Sequence, residues 1–143
     1  MAIEDKFIVS GVVHWAFIRD RDQNDKFSLD FLPDEKSLKV LQARGVNTYV
    51  SKTGKYGGQE YYIAKSQYRP QVLLGTDVLN PPKFDEDNKF IDEYPKSDPR
   101  IPLIGNGSSV RLEVNTFPTE YKKKRYVQLG LLRMRITNLI EYV

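Results

Sequence analysis

Val110-Arg111-Leu112-Glu113-Val114-Asn115 and Val127-Gln128-Leu129-Gly130-Leu131 are two runs in which an apolar side chain recurs at every second position. That period marks strands with one buried face. Between them, Phe117-Pro118-Thr119-Glu120-Tyr121-Lys122-Lys123-Lys124-Arg125-Tyr126 sets two tyrosines around four consecutive cations. Together the pieces predict a long hairpin with a basic, aromatic tip over 117–126, opened by the glycine turn Gly105-Asn106-Gly107-Ser108. From Glu120 to Arg135 six Lys or Arg stand against one acid. The ligand that suits such a segment is a polyanion carrying flat bases.

Past the tip, the apolar phase moves from odd to even positions around Leu131 and Leu132, which predicts a bulge where the strand bends round a barrel. Arg133 and Arg135 then share the outer face, either as solubilising charges or as phosphate contacts. Upstream, Phe7 to Ile18 reads as a long strand with Gly11 as its bending point. Trp15 in this strand is either core or barrel-mouth packing, or a platform for stacked bases. Arg19 to Asp25 is a polar hairpin loop, and Phe27, Leu29 and Phe31 face one side of a second strand.

Pro33-Asp34-Glu35 begins a helix of about three turns, with acids in its first turn, Leu38 and Leu41 inward and Gly45 as its stop. Five of the nine tyrosines fall between Tyr49 and Arg69. There Asn47–Ser51 and Glu60–Ser66 read as strands of a second hairpin, whose loop carries Lys52, Lys55 and Tyr56. Tyr61 and Tyr62 point to opposite faces, and the pattern leaves open which is inward. Gln71–Leu74 is a short strand. Asp77 to Asp98 holds a net charge of −4 against +7 for the remainder, a long acidic loop with Phe84, Phe90 and Ile91 as apolar anchors. It is either a solvated connection, or an acidic flap that competes with nucleic acid or meets a basic partner.

At 143 residues without cysteine, the chain is expected to form a single domain, 1–143, needing neither disulfide nor metal, and to have no thiolate chemistry. The sole histidine, His14, offers little for metal binding. No apolar run reaches the roughly 18 residues of a membrane span, so a cytoplasmic protein without membrane contact is expected. Gly105-Asn106-Gly107-Ser108 is no Walker loop, because no Lys precedes its Ser and it opens a strand rather than a helix. Acids are scattered through loops. A metal-dependent nuclease is therefore the weakest reading, and no catalytic residue and no cofactor are assigned.

Strands, one small helix and two hairpins with Lys and Tyr at their tips fit an all-β, OB-fold-like five-stranded Greek-key barrel capped by a helix. Pro102-Leu103-Ile104-Gly105-Asn106-Gly107-Ser108, Phe117-Pro118, the closing Val127-to-Leu139 strand and the order of Trp15-Ala16-Phe17 before a proline-started helix carry a further signal. In these the chain resembles the replicative single-stranded-DNA-binding proteins of T-odd podoviruses. The resemblance implies an OB-fold that coats single strands in phage replication, recombination and repair. Members of that family end in an acidic tail with a terminal aromatic. This sequence stops at Ile140-Glu141-Tyr142-Val143 without such a tail, and the tail's recruiting role is not carried over.

The expected nucleic-acid contacts are Trp15, Tyr49, Lys52, Lys55, Tyr56, Tyr61, Lys65, Tyr121, Lys122, Lys123, Lys124, Arg125, Tyr126, Arg133 and Arg135. The expected partner is single-stranded DNA, with RNA as the alternative polymer; phage replication proteins and a second copy in a homodimer are further candidates. The competing reading is a β-barrel interaction or virion protein that grips an acidic protein surface with the same tips.

Overall fold

The computed structural model describes residues 6–50, 59–81, 83–91 and 97–141. Its strands are β1 (Phe7–Phe17), β2 (Phe27–Pro33), β3 (Tyr62–Ser66), β4 (Gln71–Leu74), β5 (Asp77–Val78), β6 (Lys83–Phe84), β7 (Phe90–Ile91), β8 (Ser108–Tyr121) and β9 (Lys124–Asn138), with one helix, α1 (Glu35–Ala43), after β2. β1, β2 and β3 form an antiparallel meander; β8 pairs with the free edge of β1, and β9 with β8. β9 then returns to β3 in parallel, Ala64 opposite Leu129 and Lys65 opposite Gly130. This contact closes a five-stranded barrel. Further along, β9 pairs in parallel with β4, which carries β5 on its edge, and β6 and β7 form a separate ribbon. No helix among the described residues is long and apolar enough to cross a membrane.

Alternation places Val9, Val13, Leu29, Phe31, Leu112, Val114, Leu129 and Leu131 in the barrel interior. Of the neighbouring tyrosines, Tyr62 is the one turned inward and fully buried. The helix starts where its capping chemistry says: Asp34 Oδ1 accepts the Ser37 backbone N–H at 2.8 Å. Ser37 Oγ in turn accepts the Ser10 N–H at 2.8 Å, tying the first turn to β1. Leu41 enters the core, and Gly45, at φ 69°, ends the helix in the left-handed region.

The phase change at Leu132 is a bulge, with Glu113 facing Arg133 and Val114 facing Leu131. The bend in β1 falls elsewhere than expected. Pairing is continuous through Gly11, where an added Cβ would collide with the Leu32 carbonyl oxygen. The ladder shifts instead between His14 and Phe17, with Trp15 at φ 50°.

Three further expectations are corrected. The residues before Ser51 make no strand with β3 beyond a Tyr49–Tyr61 bridge, because both edges of β3 are occupied by β2 and β9. Asn47 bonds to Val127 of β9 instead, its backbone N–H to the Val127 carbonyl at 3.0 Å and its Oδ1 accepting the Val127 N–H at 3.1 Å. Phe84, Phe90 and Ile91 do not anchor the acidic segment, since all three are exposed. Leu79 packs against the core instead, and the other anchors among the described residues are polar. Buried Asn80 accepts the Val72 N–H at 2.7 Å and donates to the Pro70 carbonyl at 2.9 Å, while buried Asp98 donates its N–H to the Arg19 carbonyl at 2.9 Å. Finally, the strands of the long hairpin run to Tyr121 and resume at Lys124, so the tip is two residues, not ten.

The Asp98 carboxylate accepts Arg100 Nε at 2.8 Å and Nη2 at 2.9 Å. Burial pushes this carboxyl up, but the Arg100 hydrogen bonds and the charges of Arg100 and Arg69 outweigh it and hold it below the ordinary carboxylate range. A carboxylate depressed on folding stabilises above its unfolded pKa, about 3.9 for Asp, and that contribution fades as pH falls through the folded value. Asp98→Asn should therefore cost about 1.5–3 kcal/mol at pH 7. In urea titrations from pH 7 to pH 3 the variant should lose less stability than the parent. Equal acid sensitivity of the two would show that Asp98 plays no such part.

Candidate nucleic-acid interface

The barrel pairings put one row of outward residues across five strands: Phe17 on β1, Ser28 on β2, Lys65 on β3, Gly130 on β9 and Asn115 on β8. Parity makes them outward, since Ile18, Phe27, Ala64, Leu129 and Val114 beside them are buried. Ser28 and Gly130 are small, so Lys65 projects from a low floor. At Gly130 an added Cβ would strike the Asn115 side-chain oxygen, and the Phe117 ring lies just beyond it. Glycine thus lets the Asn115 amide lie against the sheet.

Tyrosines flank this floor. Tyr49 and Tyr61 have ring centroids 5.9 Å apart, tilted at 34°, and Tyr49 Oη donates to Gln128 Oε1 at 3.4 Å. Gln128 shares its side of β9 with Gly130, and register carries that face up the hairpin through Phe117 and Gln128, Thr119 and Tyr126, then Tyr121 and Lys124. Tyr121 is 62% exposed, with Lys122 Nζ 5.4 Å from its ring centroid. A half-buried aromatic ladder leading to a cationic tip is a surface for planar rings on a charged chain.

On the other flank the β1–β2 loop is held by Asp22. Its Oδ1 accepts the N–H groups of Asn24 at 2.8 Å and Lys26 at 3.0 Å, and its Oδ2 the Ser28 hydroxyl at 2.6 Å. Burial raises this carboxyl, but those hydrogen bonds and the Lys26 charge bring it below its ordinary value. Arg21 lies 4.4 Å and Arg69 4.8 Å from the centroid of the Phe27 ring, so two cations stand at the mouth of this loop.

Of the residues named from sequence, the fold gathers Tyr49, Tyr61, Lys65 and Tyr126 on this face, with Tyr121, Lys122, Lys123 and Lys124 at its upper end. Trp15 lies on the far side of Phe17 and is 49% exposed. Arg125 is turned to the other face of the ribbon, opposite Glu120. Arg133 and Arg135 sit beyond the bulge, roughly 10 and 17 Å along β9 from Gly130 at about 3.3 Å per residue; Arg133 Nη1 approaches Glu113 Oε2 at 3.9 Å, and Arg135 faces Arg111. Lys52, Lys55 and Tyr56 lie outside the described residues. Phe17, Asn115, Phe117 and Gln128 were missed. The parity of Trp15 with Phe17, and of Arg111 with Asn115 and Phe117, is the signal that would have found three of the four.

No family model matches this sequence, and no curated protein sequence is similar to it. Solved structures are. The single-stranded DNA-binding protein of bacteriophage Enc34 superposes with a TM-score of 0.60 at 12% identity, over 96% of this chain and 84% of that one. The same protein in complex with ssDNA gives 0.60 at 14% identity, covering 95% and 88%. The single-stranded DNA-binding protein encoded by bacteriophage T7 gives 0.56 at 12% identity, covering 99% and 90%. At these identities the likeness establishes the fold, and the OB-fold expected from the podovirus resemblance stands.

The two-residue turn at the tip bears on its purpose. Lys122 and Lys123 have φ 49° and 66°, the left-handed pair of a type I′ turn, where Asn-Gly is favoured and a side chain with a Cβ is strained. The double change Lys122→Asn and Lys123→Gly should stabilise the protein by about 1 kcal/mol, a rise in Tm of about 3–4 °C. A calorimetric scan showing no rise, or a fall, would mean the lysines are there for the hairpin itself.

Proposed function

We propose that this protein binds single-stranded DNA without sequence preference and coats it during phage DNA replication, recombination and repair in the host cytoplasm, acting as a binder and not as an enzyme. The observation that carries the reading is one outward face that holds Lys65 on a floor of Ser28 and Gly130 and, about 13 Å along the same strands, Tyr61 with Tyr49 against it and Tyr126. Tyrosine rings accept any base, because every base has a π-face, and each such stack is worth about 1–3 kcal/mol by alanine substitution. Lys65 and the lysines of the tip supply counterion release. An OB barrel uses the face of its second and third strands, flanked by the first and last hairpin loops, and here Asp22 shapes the first loop and Lys122–Lys123 form the last. That solved structures of this fold include single-stranded DNA-binding proteins, one in complex with ssDNA, supports the same reading. RNA, a second copy of the chain and phage replication proteins belong to this proposal as further partners.

The test is a titration with fluorescent oligothymidine and with a duplex of equal length, each at two salt concentrations. The single strand should bind far more tightly, with a log–log salt slope of about −2 to −4, and Lys65→Ala should make that slope shallower by about 0.7. Tyr61→Ala should weaken binding by about 1–3 kcal/mol with the slope unchanged. If neither polymer binds, the protein-binding reading takes over; cleavage of the oligonucleotide in excess Mg²⁺ would establish the nuclease.

A further inference from the structure

Outside the β1 bulge lies an open groove lined by Trp15, Phe17, Arg19, Leu103 and Asn106 among its residues. Trp15, Phe17 and Leu103 are 49%, 42% and 43% exposed, a cluster of large apolar side chains that folding has left around one opening. The backbone there is as unusual as the surface. Trp15 at φ 50° occupies a conformation that bulky residues rarely adopt and glycine takes freely. It is held there from across the turn: the Trp15 N–H donates to Asn106 Oδ1 at 2.8 Å, and the Gly107 N–H to the Val13 carbonyl at 2.9 Å. Strain that the surroundings enforce is found where a side chain must be presented in one direction.

Asn106 adds chemistry. A backbone N–H needs an acceptor, so the atom facing Trp15 is the amide oxygen, and the NH₂ with its two donors is the other end of that side chain. The groove therefore combines two aromatic rings, an aliphatic wall, an amide donor and the charged side chains of Arg19, Asp20 and Arg21, one positive charge in sum.

We propose that this groove holds one unstacked nucleobase of the bound strand, its ring against Trp15 and Phe17, its carbonyl or ring-nitrogen acceptors toward the Asn106 amide, and the adjoining phosphate at Arg19. The proposal rests on the single-strand reading and extends it, because Phe17 shares a row with Lys65 two strand spacings away, roughly 9–10 Å. A strand crossing the tyrosine face would reach the groove without leaving the barrel.

Trp15 is the only tryptophan, so its emission reports on this groove alone. The full chain is titrated with oligothymidine and with an abasic oligomer of equal length, following both Trp15 emission and the anisotropy of a label on the oligomer. Oligothymidine should quench Trp15 and the abasic oligomer should not. Trp15→Gly, which suits the left-handed backbone and should leave Tm unchanged or raised, should weaken oligothymidine binding about 5- to 150-fold, the equivalent of about 1–3 kcal/mol. Leu103→Ala, which leaves the bulge intact, should weaken it in the same direction. Salt-dependent binding with Trp15 emission unmoved and both variants binding like the parent would overturn the groove and leave the single-strand reading standing. Equal quenching by the abasic oligomer would overturn it too, by assigning the contact to the sugar-phosphate chain. If oligothymidine does not bind at all, the single-strand reading falls and the groove with it.

Discussion

Two rungs of parallel ladder, Ala64 with Leu129 and Lys65 with Gly130, turn a sheet into a barrel. Without them β3 would be an open edge and β9 would be unpaired on that side ahead of β4, and the outward row from Phe17 to Asn115 would be broken between Lys65 and Gly130. The constraint falls on β9. It pairs along one side with β8 over nearly its whole length, and on the other first with β3 and then with β4. A straight strand cannot turn from one partner to the next, and the extra residue at Leu132 is where it bends. Gly130 sits at the closure, where its missing side chain leaves room for Asn115.

The closure also explains why the face has its relief. Small residues at Ser28 and Gly130 lower the floor around Lys65, and the aromatic side chains rise on either side. Tyr49 joins them without belonging to a strand. It is fixed by its bridge to Tyr61 and its bond to Gln128, while Asn47 is fixed to Val127. A segment that forms no strand is pinned by a few backbone bonds, to Tyr61 and Val127, together with the side chains of Asn47 and Tyr49, which is how a loop residue comes to stand beside the barrel.

Much of this was legible in the sequence because two periodicities do not overlap. The strict alternation through Val110, Leu112 and Val114 admits only a strand, the change of parity at Leu132 admits only a bulge, and Asp34 with Gly45 frames the helix. What was not legible depends on contacts distant in sequence. Nothing near Trp15 announces a left-handed backbone, since the group that holds it there, Asn106, is 91 residues away. The β propensity that suggests a strand over Asn47–Ser51 is local, and among the described residues it yields only the Tyr49–Tyr61 bridge, because both edges of β3 are taken. Phe84 and Phe90 look like anchors in sequence and stand exposed, their rings 6.2 Å apart and edge to face, while the segment is held at its ends by Leu79 against the core and by the polar Asn80 and Asp98. Of the candidate contacts, parity placed Tyr126 on the outer face and turned Arg125 away, a distinction that composition of the tip cannot make.

The polar clamps at Asn80 and Asp98 have a bearing on how this fold tolerates change. Asn80 is held by the backbone of Pro70 and Val72, and Asp98 by Arg19 and Arg100. None of these partners lies between the two clamps in the chain. The ribbon of β6 and β7 with its exposed Phe84, Phe90 and Ile91 is thus a cassette between two fixed points, and exchanging or labelling its residues should leave the strands that carry the tyrosine face undisturbed.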